Sequence, residues 1–259
     1  MRRKHKSSRL KRRRFNKRVI PNLLTVINMF LGFISIGMLI NGKPVQAGWV
    51  ILIAGVFDSI DGKIARLLNI PSRFGTEFDS FADTISFCAS PALLIYTVYV
   101  NGMEPILGGL ISFIPLVFGT IRLARFNLDY SENKAYFSGL PTPVSALTLY
   151  GFFLFHFQLS GNHGDPRILL VLMVILGFLM VSPLRFNKLP VFSFKKGRSN
   201  TIRLLGLGLF IISLFIWKGL VLFPISVCYI TYNIISWLIS NRIDPSEVGE
   251  IENRVDAVE

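Results

Sequence analysis

The chain has 259 residues, 51% of them hydrophobic, with a mean hydropathy of +0.53 and a formal net charge of +13. Only 17% of the residues are charged, where a soluble domain carries about a quarter, and the apolar runs reach the roughly 20 residues that cross a bilayer. A soluble globular enzyme is thereby excluded, and two cysteines, Cys88 and Cys228, both inside apolar runs, argue against a disulfide framework or a thiolate metal site.

Residues 1–18, MRRKHKSSRLKRRRFNKR, concentrate eleven of the 28 basic side chains. This region is too long, and the apolar run after it too poor in a small-residue cleavage pattern, for a signal peptide. It is expected to lie on anionic lipid, where each basic residue gains about 1 kcal/mol. Phe15 is its one aromatic residue, so it lacks the interleaving of a nucleic-acid surface. Eight apolar spans follow, at about 20–41, 46–68, 77–100, 105–126, 141–160, 167–185, 201–217 and 219–240, the last two parted only by Lys218 and Gly219. Apart from Lys43, Arg167 and Lys218, every basic residue falls on the tail's side of these spans, and the positive-inside rule then places both termini in the cytoplasm. Residues 241–259 form a polar tail. The expected organisation is a basic tail (1–18), an all-α polytopic membrane bundle (19–240) and a second tail (241–259).

The segment DSIDGKIARLLNIPSRFGTEFDSFAD, residues 58–83, sets four aspartates between two of the spans. A carboxylate at bilayer depth costs about 2.5–3.5 kcal/mol by insertion scales. Asp58, Asp61, Gly62 and Ala65 follow i, i+3, i+4, i+7 and make one helical stripe; Gly75, Asp79, Asp83, Ser86 and Ser90 make another on the next helix. Pro71 breaks the chain between them, so the four carboxylates are expected to meet at one membrane edge. They cannot all stay ionised there without a cation, and an all-carboxylate set suits Mg²⁺ or Mn²⁺. Two such ions clamp the attacking and leaving oxygens of a phosphoryl-type displacement. Small residues on the stripe allow a phosphorylated ligand close to the backbone, and Arg66 offers a donor fork. An acid-lined transporter, or structural pairing with Lys63, Arg66 and Arg73, stays open on spacing alone.

The pattern Asp58-x2-Asp61-Gly62-x2-Ala65-Arg66-x8-Gly75-x3-Asp79-x3-Asp83 resembles the signature of the CDP-alcohol phosphatidyltransferase family without a departure. The resemblance implies that Asp58, Asp61, Asp79 and Asp83 hold two divalent metals, that Asp83 is also the general base, and that Gly62, Ala65, Arg66 and Gly75 line the CDP site. PNLLT at 21–25, FGTEFDSFADTISFCASPA at 74–92, RLARFN at 122–127 and YFSGLPTP at 136–143 look most like the phosphatidylserine synthase subgroup, with Cys88-Ala89 as a local departure. They imply CDP-diacylglycerol and L-serine as substrates, a homodimer, and a six-helix core to which the last two spans are added. A sister transferase using glycerol 3-phosphate, inositol phosphate or another alcohol, or a CDP-archaeol donor, remains an alternative.

Asn22 and Thr25 are expected at the nucleotide, against a plain capping role. Arg122 and Arg125 are candidates for the serine carboxylate or a lipid phosphate, against ordinary anchoring. Gly139, Pro141, Thr142 and Pro143 are expected to shape the entry to the fifth span. Glu77 lies off the aspartate stripe and is expected to pair with Arg73; His156 is expected to be a packed polar group.

Overall fold

The computed structural model describes residues 19–67, 73–128, 136–187, 206, 208, 213–214 and 216–240, and the side chains of Asp61, Ala65 and Arg66 fall outside the description. Both expected tails and most of span 201–217 lie outside it too. The described chain is almost entirely helical, as an all-α membrane protein requires, because helices satisfy their own backbone groups in lipid.

Helix α1 (Val19–Ile40) and α2 (Pro44–Leu67) form a tight antiparallel pair. The turn between them closes through Lys43 N–H to Met38 O, with Gly42 at φ +67°. Helix α3 (Arg73–Tyr99) starts four residues before the span expected at 77–100, so Gly75 is helical. Within α3, residues Thr84–Ala89 and Ile95–Tyr99 widen into π-helix. Pro91 sits between those segments; it offers no N–H to the preceding turn, and its ring crowds the carbonyl there, so the helix relaxes to longer hydrogen bonds.

Helix α4 (Pro105–Leu128) bends at Phe113. A short strand β1 (Tyr136–Ser138) leads into α5 (Thr142–Ser160), followed by α6 (Pro166–Val181) and β2 (Arg185–Asn187). β1 and β2 pair antiparallel, Phe137 opposite Phe186. Trp217–Val221 turn at the junction expected near Lys218 and Gly219, both with positive φ, and α7 (Leu222–Ser240) follows. Among the described residues, four helices are long and apolar enough to cross a membrane, and α2 and α6 contribute shorter apolar stretches.

Helix α3 is central, touching α1, α2, α4 and α5, while α6 packs on α4 and α7 on α5. Ile51, Phe87, Leu94, Tyr150 and Phe153 fill the interior, and Leu23, Phe30, Phe33, Ile106 and Phe178 project outward, as lipid-facing bulk does. Glycine brings α1 onto α3: a Cβ at Gly32 would fall 2.7 Å from Ser86 Cα.

Candidate active site

The last turns of α2 and the first turns of α3 bring Asp58, Asp79 and Asp83 together, with a carboxylate oxygen of each within 4.8 Å of the others. Asp79 and Asp83 are one turn apart on α3, so both face the same way. Asp83 is buried, while Asp58 and Asp79 are half-buried. Three carboxylates this close repel unless a cation sits among them. Their donors are all oxygen, and Asp79 Oδ1 is buried with no hydrogen-bond partner, so the set fits a hard divalent ion. Asp61 follows three residues after Asp58 on the helical backbone of α2, which puts it on the same face; its side chain, with those of Ala65 and Arg66, lies outside the described residues. Gly62, one turn beyond Asp58, and Gly75, one turn before Asp79, flank the cluster and are half-buried.

A chain of hydrogen bonds enters from α4 and α5. Arg122, itself buried, donates from Nη1 to Thr142 Oγ1 over 3.4 Å, and the Thr142 hydroxyl donates to Asp83 Oδ2 over 3.4 Å. Because the guanidinium occupies a lone pair of the threonine oxygen, the hydroxyl proton is directed at the carboxylate. Arg122 Nε is buried without a partner, and the guanidinium is within electrostatic reach of Asp83 and Asp58. It therefore presents cationic donor capacity to the site.

The structure separates the two arginines that the sequence groups. Arg125 is exposed and donates from Nη1 to Val181 O over 2.6 Å, capping the C-terminus of α6. The same helix end receives Leu140 N–H at Leu179 O over 3.0 Å, and Gly139 N–H reaches Leu184 O over 2.8 Å. Gly139 has φ +76°, and a Cβ there would lie 3.0 Å from the Met180 carbonyl carbon; only glycine passes through this gap. These clamps fix the start of α5 and with it Thr142, whose polar role sequence reasoning missed: it lies 59 residues from Asp83, beyond any local pattern.

Other expectations are placed as follows. Asn22 is half-buried, and Thr25, buried on the inner face of α1, donates to Pro21 O over 3.2 Å within its own helix. Glu77 accepts from Asn127 Nδ2 over 3.1 Å rather than pairing with Arg73; α4 delivers the amide closer than the preceding turn of α3 delivers the guanidinium. His156 Nδ1 bonds Phe152 O over 3.0 Å and packs on that ring, as a packed polar group does. Cys88 and Cys228 are free thiols. Asn28 on α1 was unremarked in the sequence and is fully buried.

The model of the CDP-alcohol phosphatidyltransferase family matches residues 18–182, a segment that contains every described residue of this site. A CDP-diacylglycerol–serine O-phosphatidyltransferase of Helicobacter pylori (strain ATCC 700392 / 26695) is 37% identical over 226 residues, covering 85% of this chain and 91% of the relative. An archaetidylserine synthase of Methanothermobacter thermautotrophicus is 35% identical over 176 residues, 65% of this chain and 70% of the relative. A CDP-diacylglycerol–serine O-phosphatidyltransferase of Methanocaldococcus jannaschii is 34% identical over 171 residues, 66% and 75% of the two chains.

Proposed function

The chain belongs to the CDP-alcohol phosphatidyltransferase family, and from that premise we propose that it transfers the phosphatidyl group of CDP-diacylglycerol to the hydroxyl of L-serine, releasing CMP. The observation that carries the reading is the Asp58/Asp79/Asp83 cluster, joined to 37% identity over nearly the whole length of a relative named for serine transfer. Identity and coverage are both lower for the archaetidylserine synthase, which favours the diacyl donor.

In this reading the serine oxygen attacks phosphorus, its proton passes to Asp83, and the bond to the CMP oxygen breaks. A hydroxyl is a weak nucleophile, and a carboxylate within hydrogen-bond reach contributes about 10²–10⁴-fold to its attack. Asp58, Asp61, Asp79 and Asp83 would hold divalent metal, Mg²⁺ or Mn²⁺, as two ions; when bound, it neutralises diphosphate charge. Gly62, Ala65, Arg66 and Gly75, with Asn22 and Thr25, would line the CDP-lipid. Thr142 fixes the orientation of the Asp83 carboxylate, and Arg122 supplies positive charge for the phosphate or the serine carboxylate. The aspartate motif contains no cysteine and no histidine, and its serines are Ser59, Ser72 and Ser80. Ser59 and Ser80 are spent on the carbonyls of Gly55 and Thr76. The reading takes the transfer as a direct displacement, which requires no covalent enzyme intermediate.

The site lies at the end of α1 nearest the basic tail, so the reading places it, and both termini, at the cytoplasmic face of the inner membrane, with acyl chains left in the leaflet. A homodimer belongs to the same reading and is checked by cross-linking in native membranes. The deciding experiment is CMP release by purified protein in mixed micelles with CDP-diacylglycerol, Mn²⁺ or Mg²⁺, and a panel of serine, glycerol 3-phosphate, inositol phosphate and choline. Serine-dependent release abolished by chelator is expected; release only with another alcohol overturns the serine assignment.

A further inference from the structure

The seam between α1 and α3 carries five polar side chains on the α1 and α3 stripes whose partners can be followed one by one. Thr25 donates to Pro21 O, Ser86 donates to the Asn28 carbonyl over 2.9 Å, and Ser35 and Ser90 bond each other over 2.8 Å. Asn28 is the exception. It is 0% exposed, and neither its Nδ2 nor its Oδ1 has a hydrogen-bond partner. Burying an amide unpaired costs about 1–3 kcal/mol by mutational data, and a leucine would fill an apolar helix at this position without that penalty. Both halves of the carboxamide are therefore left for a ligand.

The register of the seam says where that ligand sits. Gly32 abuts Ser86, and Ser35 meets Ser90, so the two helices run parallel and in step. Four residues back from Gly32 and Ser86 are Asn28 and Ala82. Asn28 is thus level with Ala82, a fully buried methyl, and with the adjoining Asp83.

We propose that Asn28 is a specificity-determining residue of this site, whose carboxamide binds the amino-acid part of a zwitterionic acceptor while the acceptor's hydroxyl faces Asp83. This deepens, and rests on, the serine reading given above. The chemistry selects the ligand. A neutral amide offers N–H donors and a carbonyl acceptor side by side, matching a carboxylate and an ammonium on one small molecule. It brings no positive charge for a diphosphate, which Arg122 provides, and no N–H of choline exists to meet Oδ1. A site built to hydrogen-bond a substrate rejects analogues lacking the group far more strongly than an apolar pocket does.

The test uses the full-length protein in mixed micelles with CDP-diacylglycerol and metal, comparing wild type with Asn28→Leu and Asn28→Ser. Thermal unfolding is measured alongside. The expected result is a KM for serine raised about tenfold or more in both variants, with the KM for CDP-diacylglycerol within about twofold and Asn28→Leu at least as heat-stable as wild type. A purely structural amide would instead lower the unfolding temperature and leave the serine KM alone. If a serine-active wild type and either folded variant share one serine KM, or if only the CDP-lipid KM moves, the inference is overturned by itself. A wild type inactive with serine overturns the function proposed above and this inference with it. Asn28→Ser serves where Asn28→Leu does not fold, since it adds no bulk.

Discussion

The two ends of the α1–α3 seam both bury polar side chains, yet they treat polarity in opposite ways. At the far end, Ser35, Ser90 and the Tyr150 hydroxyl close a ring of contacts at 2.8, 2.6 and 3.2 Å, all buried and mutually satisfied. At the aspartate end, Asp79 Oδ1, the Asn28 carboxamide and Arg122 Nε are buried and unpartnered. A polar group in an apolar interior is expensive unless paired. The far end is thus a finished structural contact, holding three helices together; the aspartate end keeps unmet hydrogen-bonding capacity, which the function proposed above assigns to ions and substrates. What separates structure from function inside this membrane bundle is saturation, and polarity alone does not.

That contrast is broken most severely at Asp83. Asp83→Asn is expected to lower turnover by about 10²–10⁴-fold while equilibrium binding of a labelled CDP-lipid persists; full turnover in that variant would remove Asp83 as the base. Gly32→Ala tests the seam at its midpoint. The added methyl meets the Ser86 backbone, and overpacking costs about 1–3 kcal/mol, so thermal unfolding in detergent should shift down and CMP release should fall with it. A lowered unfolding temperature with unchanged CMP release would show that the two ends are mechanically independent.

Thr142→Val keeps shape and removes the hydroxyl between Arg122 and Asp83. One hydrogen bond of about 1 kcal/mol corresponds to a kcat reduced roughly fivefold, with the KM for CDP-diacylglycerol unchanged and Thr142→Ser restoring most of the rate. Equal loss in both variants would reduce Thr142 to a packing residue. The smallest effect belongs to the far end: Tyr150→Phe should cost about 0.6 kcal/mol of stability, the average for hydrogen bonds between membrane helices. CMP release should be untouched, since Ser35 and Ser90 still pair.

Much of this arrangement is readable along the chain because membrane helices obey strong local rules. The aspartates announce themselves by spacing, and for the described helices the expected span ends fall within a few residues of the observed ones, since apolar length and basic flanks both report on the bilayer. The widening around Pro91 is foreshadowed by a proline within a span. What stays hidden depends on neighbours distant in sequence. Arg122 and Arg125 look equivalent, yet a rotation of about 300° around the helix over three residues, with α5 and α6 packed on different sides, sends one to Asp83 and the other to the end of α6. Thr142 reads as turn chemistry until Gly139 and Leu140 anchor it to α6. Asn28 is one of two amides in a 22-residue apolar helix, and nothing nearby in sequence signals that no partner meets it.

The β1–β2 ribbon carries a consequence for how the protein is made. Its strands flank α5 and α6 and pair residues 51 positions apart, Tyr136 with Asn187. They can join only when both helices have been made and the chain has folded back on itself as a helical hairpin. The ribbon is therefore a latch that reports completion of this hairpin. Thr142 stands just past the latch, so the aspartates emerge from the ribosome well before the residue that orients the last of them. An unfinished chain holds its carboxylates before Thr142 can reach Asp83, and under the function proposed above its chemistry waits for the ribbon to close.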